Sequence, residues 1–130
     1  MHAPITALWA GLLGVLMLLL ATRVVRARVT ENVIFGDGGN AVLLQHVRVH
    51  GNFVEYVPLG LVLILILELN GTPALTLNLL GGGLFAARLL HAFGLSRTTG
   101  TSFGRFVGTV GTWLVLLAAS GLALYSYWMA

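Results

Sequence analysis

Residues 48–58 read Arg48-Val49-His50-Gly51-Asn52-Phe53-Val54-Glu55-Tyr56-Val57-Pro58 and run without a break into Leu59-Gly-Leu-Val-Leu-Ile-Leu-Ile-Leu67, which is apolar enough for the interior of a bilayer. Arg48, Asn52 and Glu55 stand at i, i+4 and i+7, so a helix carries all three on one face. Ionisable side chains at membrane depth cost on the order of several kcal/mol unless paired or hydrated, which marks this stripe as a candidate site. The remaining sequence is the scaffold that presents it.

Working outward, Gly36-Asp37-Gly38-Gly39 breaks the chain, and Asn40 is suited to cap a helix predicted over residues 41–69. A helix of about 29 residues is about 43 Å long, more than the ~30 Å of hydrocarbon requires. Its first turns, with Gln45, His46, Arg48 and His50, must therefore protrude from lipid or face other helices. Pro58 is expected to kink it. If the last turns span the bilayer, Glu55 sits roughly 8 Å inside.

Of the 130 residues 58% are hydrophobic and only 8% charged, and the mean hydropathy is +0.95. This composition excludes an ordinary soluble globule and indicates an integral membrane protein in one domain. No cysteine is present, so the chain supplies no disulfide, no Cys metal site and no thiol nucleophile. The net charge of +3 rests on arginine alone, without lysine, which suits grip on anions by planar guanidinium forks, with simple headgroup anchoring as the plain alternative for any single exposed arginine. No metal site and no nucleic-acid partner are expected.

Three further spans complete the pattern, at about residues 5–25, 73–95 and 103–128. Arg23, Arg26 and Arg28 follow the first, with no small-residue cleavage pattern, so a retained span is expected. Asn70-Gly71-Thr72-Pro73 is a tight connection, with Thr72 suited to an N-cap and Pro73 to a first helical position. Residues 96–102 read as a polar loop, and Ser102 as the cap of the fourth span. An all-α, up-down-up-down four-helix bundle follows. All seven arginines then fall on one side, predicted to be cytoplasmic, which places the N- and C-termini outside. Trp9, Tyr125, Tyr127 and Trp128 gather at the opposite interface as an aromatic belt. Gly81-Gly-Gly83 and Gly104-x-x-x-Gly108 provide small surfaces for close helix packing.

Two more groups carry ionisable chemistry. Arg88 and His91 lie one turn apart near the inner end of the third span, and Arg105 lies one turn into the fourth, near the positive end of its helix dipole, where an anion would compensate it. Arg48 and Glu55 are two turns apart, beyond the usual intrahelical pairing, so another helix or a ligand must supply partners. An interhelical polar lock without ligand is the plain alternative.

Taken together, Arg-x-x-x-Asn-x-x-Glu-Tyr-x-Pro opening the second span, Arg-x-x-His before the second loop, the basic first loop and an arginine early in the fourth span resemble the MAPEG family, membrane-associated proteins in eicosanoid and glutathione metabolism. The likeness covers nearly the whole chain. It implies a compact bacterial-type member of an inner membrane, a homotrimer that binds glutathione as co-substrate between neighbouring subunits near the cytoplasmic face. By that resemblance Glu55 receives the α-amino group, Arg48 and Asn52 receive carboxylates or amides, and His50, Tyr56, Arg88 and His91 border the ligand. One of Arg26 or Arg28 contributes from the first span. Arg105 is similar to the arginine that stabilises the glutathione thiolate. The implied activity is that of a glutathione S-transferase or peroxidase, in which the thiolate attacks a lipophilic electrophile or peroxide arriving from the surrounding lipids. Relatives with conjugating activity usually carry tyrosine one turn after the His91 position, where this chain has Leu95, so a glutathione- or lipid-binding protein without strong catalysis is the alternative. A small multidrug transporter fits less well, because such proteins place the essential acid in the first span and this chain has none there.

Overall fold

The computed structural model describes residues 2–97 and 102–129, with Leu95, Ser96 and Arg97 described in backbone only. Four helices make up the described residues: α1 (Pro4–Glu31), α2 (Ala41–Leu69), α3 (Ala74–Arg97) and α4 (Phe103–Trp128). Each contains a segment long and apolar enough to cross a membrane. They run up, down, up and down. Helix α3 packs most extensively on α4 and α1 on α2, while α2 touches all three others.

The predicted bounds of α2 and α4 match the structure, but α1 continues six residues past Val25 and α3 runs through Arg97, so Ser96 belongs to the helix and not to the loop. Arginine is a good helix former, so it ends a hydrophobic span without ending the helix. Helix α1 stops at Asn32 instead, whose φ of 53° is left-handed. The Arg28 guanidinium donates to the carbonyls of Ile34 (3.3 Å) and Gly36 (2.8 Å), folding the following loop back against the helix end. Gly36, Gly38 and Gly39 all take positive φ in that loop. Asn40 then caps α2 as expected, its Oδ1 accepting from the amides of Val42 and Leu43 at 2.9 Å each. Between α2 and α3 Gly71 has φ 81°, and the helix starts at Ala74, one residue later than predicted, with the Pro73 carbonyl in the capping position and accepting from Leu77. Of the polar loop expected at 96–102, residues 98–101 lie outside the described residues.

The core follows from a stripe on α2. Val49, Phe53, Val57, Gly60, Ile64 and Leu67 recur at three- and four-residue spacing and are all buried. They meet Leu13, Leu16 and Leu20 of α1 and Leu77, Leu80 and Leu84 of α3. Helix α4 contributes small residues, with Gly108, Thr112 and Ala119 buried. A Cβ at Gly108 would collide with the backbone of Ala87 and His91, and one at Gly94 with the backbone of Gly104 and Arg105. The two helices thus approach backbone to backbone, as the Gly104-x-x-x-Gly108 pattern predicts. At the far end the Trp9 indole covers Gly81 and Gly82, and its Nε1 donates to Asn78 Oδ1 at 3.2 Å. Trp9 is therefore docked on α3 rather than standing in a lipid-facing belt, whereas Tyr125, Tyr127 and Trp128 are exposed. Pro58 lies inside an uninterrupted α2.

Candidate functional site

Of the three residues of the α2 stripe, one is engaged within the chain. Asn52 is half-buried and its Oδ1 accepts from Arg88 Nη1 at 2.8 Å, with the Asn52 carbonyl 3.4 Å from the same nitrogen. Arg88 is only 1% exposed, and its Nε and Nη2 are buried without an acceptor among the described residues. On either side of Asn52, Arg48 and Glu55 are exposed and have no hydrogen bond or ion pair to a described residue. His50 and Tyr56 are half-buried beside them.

His91 is buried where α3 meets Gly108 of α4, which lets its backbone lie directly against that glycine. One turn toward the inner end, Ser102 Oγ accepts from the Arg105 amide at 3.2 Å and starts α4. Arg105 is half-buried and lines a groove of about 540 Å³ with Phe103, Phe106, Thr109, Val110 and Trp113. The groove runs along the outer side of α4, and Phe103, Phe106 and Trp113 are strongly exposed in it. In the first helix Arg26 is exposed, while Arg28 is committed to the loop carbonyls already described. The side chain of Leu95 lies outside the described residues. Among those described, no group of three or more His, Asp or Glu residues is arranged to hold a metal.

Sequence reasoning grouped Arg48, Asn52 and Glu55 correctly on one face but did not anticipate that Arg88 takes the oxygen of Asn52. The pairing joins residues 36 positions apart, and only the long-standing rule that a buried guanidinium needs an acceptor could have suggested it. A second residue went unnoticed. Glu68, at the outer end of α2, accepts from the backbone amides of Ile5 (2.9 Å) and Thr6 (2.7 Å). Helix α1 has no capping side chain of its own at Ala3, so this carboxylate satisfies two of its free N–H groups from another helix.

Four helices, each with a segment long and apolar enough to cross a membrane, define a small integral membrane protein. Within that class the chain belongs to the MAPEG family, whose model matches residues 6–125 and whose members have glutathione-related functions. It is similar to the inner membrane protein YecN of Escherichia coli K12, 37% identical over 113 residues that cover 87% of this chain and 85% of the relative. The YecN protein of E. coli O6:H1 strain CFT073 matches to the same extent. No solved structure is significantly similar to the chain.

Proposed function

We propose that this protein is a glutathione-binding enzyme of a bacterial inner membrane, of the transferase or peroxidase type, acting on lipophilic electrophiles. The observation that carries the reading is the exposed Arg48 and Glu55 flanking Asn52 on α2, two opposite charges with no hydrogen bond or ion pair to a described residue. A zwitterionic peptide with free carboxylates and an amine supplies complementary groups to that stripe. Arg105 supports the second half of the reading, since a guanidinium in a partly desolvated groove stabilises a thiolate more than a thiol. The thiolate would attack an electrophilic carbon and expel its leaving group, or attack a hydroperoxide oxygen and release the alcohol. Glu55 and Arg48 bind, Arg105 activates, and the exposed aromatic groove of α4 receives the apolar reactant from lipid.

A homotrimer, with the stripe of one subunit facing α4 of the next, brings these pieces together. Within one bundle the stripe lies on α2 and the groove opens along the outer side of α4, so a neighbour is needed to close the site. Exposed Phe103, Phe106 and Trp113 provide apolar area for that closure. Of the two candidates in α1, Arg26 is exposed with no side-chain partner among the described residues and is assigned to the ligand, because Arg28 is held by the loop. The orientation that suits this reading puts the arginine-rich end in the cytoplasm, where glutathione is available.

Calorimetric titration of the detergent-purified protein with glutathione tests the reading. Saturable binding with a dissociation constant in the millimolar range or tighter supports it. Heat indistinguishable from dilution in protein that is folded and assembled rejects it.

A further inference from the structure

Arg88 is buried and attached to one residue of the candidate site, Asn52. Arginine only donates hydrogen bonds, so whatever group lies against it must present an acceptor. That requirement fixes the orientation of the Asn52 carboxamide without ambiguity. Oδ1 accepts from Nη1 at 2.8 Å, and Nδ2 with its two hydrogens is the part of the carboxamide that Arg88 does not engage. A free asparagine can turn either its oxygen or its nitrogen to a ligand. Held by Arg88, Asn52 cannot turn its oxygen toward a ligand without giving up that bond, so Nδ2 is the group it offers.

We propose that Arg88 is a positioning residue that acts through Asn52, making this point of the site selective for a ligand carboxylate over the corresponding amide. A carboxylate accepts from Nδ2 through either oxygen, whereas a primary amide offers one oxygen and one nitrogen and gains nothing from the latter. The inference rests on the glutathione reading for the identity of the ligand, but the lock between Arg88 and Asn52 does not. The depth of the lock explains its strength. With Nε and Nη2 already unsatisfied, loss of Asn52 Oδ1 would remove the strongest hydrogen bond of a guanidinium that water does not reach.

The test compares glutathione with two analogues, each having one of its carboxylates converted to a primary amide, by competition binding to the assembled protein. In the wild type one of the two analogues should bind at least about tenfold more weakly than glutathione. Arg88→Lys, which keeps a donor toward Oδ1, should retain that preference, and Arg88→Met, which frees the amide to turn, should reduce it to within about twofold. Asn52→Asp should invert it, because an acceptor then meets the ligand. A preference unchanged in Asn52→Asp overturns the proposal, and it decides alone if Arg88→Met does not assemble.

A ligand-free measurement separates the lock from the glutathione reading. Asn52→Asp still offers Arg88 an acceptor and should keep the thermal midpoint, whereas Asn52→Leu strands the guanidinium and should lower it by roughly 5 °C or more. Equal midpoints for the two variants overturn the lock whatever the protein binds. Wild type that fails to bind glutathione, with midpoints that differ as stated, rejects the ligand and leaves the lock standing.

Discussion

Helix α2 carries two glutamates in the membrane, and they have opposite fates. Glu68 is clamped, each oxygen accepting a backbone amide at the start of α1. Glu55 is exposed and makes no such contact with a described residue. Both are costly residues in a bilayer by composition alone, and the difference lies in what the surrounding helices bring to them. At the outer end the polar groups close on one another, with Glu68 on α1, Trp9 on Asn78, and Asn70 Nδ2 on Ser126 Oγ at 3.4 Å. At the opposite end Asn52 meets Arg88 and Arg28 meets the loop carbonyls, but Arg48 and Glu55 have no hydrogen bond or ion pair to a described residue. The contrast teaches that a membrane carboxylate is a ligand candidate when its partners are missing, not merely because it is charged.

The largest effect expected from this division concerns Arg105, which belongs to the open end. Arg105→Ala should remove the ultraviolet thiolate absorbance of bound glutathione at neutral pH and lower turnover with a chlorodinitrobenzene by roughly 10² or more, with much of the affinity retained. Wild type that binds glutathione without a thiolate signal would leave a binding protein and no activated sulfur.

Removing the clamp should act on stability alone. Glu68→Leu leaves two amides at the α1 N-terminus uncapped and should cost about 2 kcal/mol, seen as a lower thermal midpoint with an unchanged dissociation constant. If the variant keeps its midpoint and loses glutathione, the two ends have been misassigned.

Glu55→Gln is the mirror experiment. It keeps side-chain volume and assembly, and it should weaken glutathione binding at least about tenfold, or ~1.4 kcal/mol. Lost expression with normal affinity in the remaining protein would make Glu55 a second structural lock. A smaller effect is expected in the first helix, where Arg26→Gln should reduce affinity by about threefold, since an exposed arginine contributes on the order of 0.7 kcal/mol. Arg28→Gln should leave affinity alone and loosen the loop after α1, detectable as faster proteolysis there.

Helix α2 and helix α4 were legible from sequence to the residue because their ends are marked locally, by Asn40 and Ser102 as caps and by the Gly71 turn. The end of α1 was not, because hydropathy measures where lipid ends and arginine continues a helix happily into water. The Gly81-Gly-Gly83 run announced a close approach, but not that the approaching group would be the Trp9 ring. The stripe of Arg48, Asn52 and Glu55 could be read from periodicity because one helix sets all three directions.

Composition and helical period thus determined the membrane setting, the four spans and the helical face that Arg48, Asn52 and Glu55 share. These are properties of single segments, fixed by the 1.5 Å rise and 3.6-residue turn and by the cost of polar groups in lipid. Tertiary structure decided which polar residues are already satisfied. It gave Asn52 Oδ1 to Arg88 across 36 residues and Glu68 to the α1 amides across 62 and 63, and left Arg48 and Glu55 without a partner among the described residues. Hydrogen bonding acts over about 3 Å, so a donor and its acceptor are matched by where helices cross, and no local pattern in the chain records that crossing.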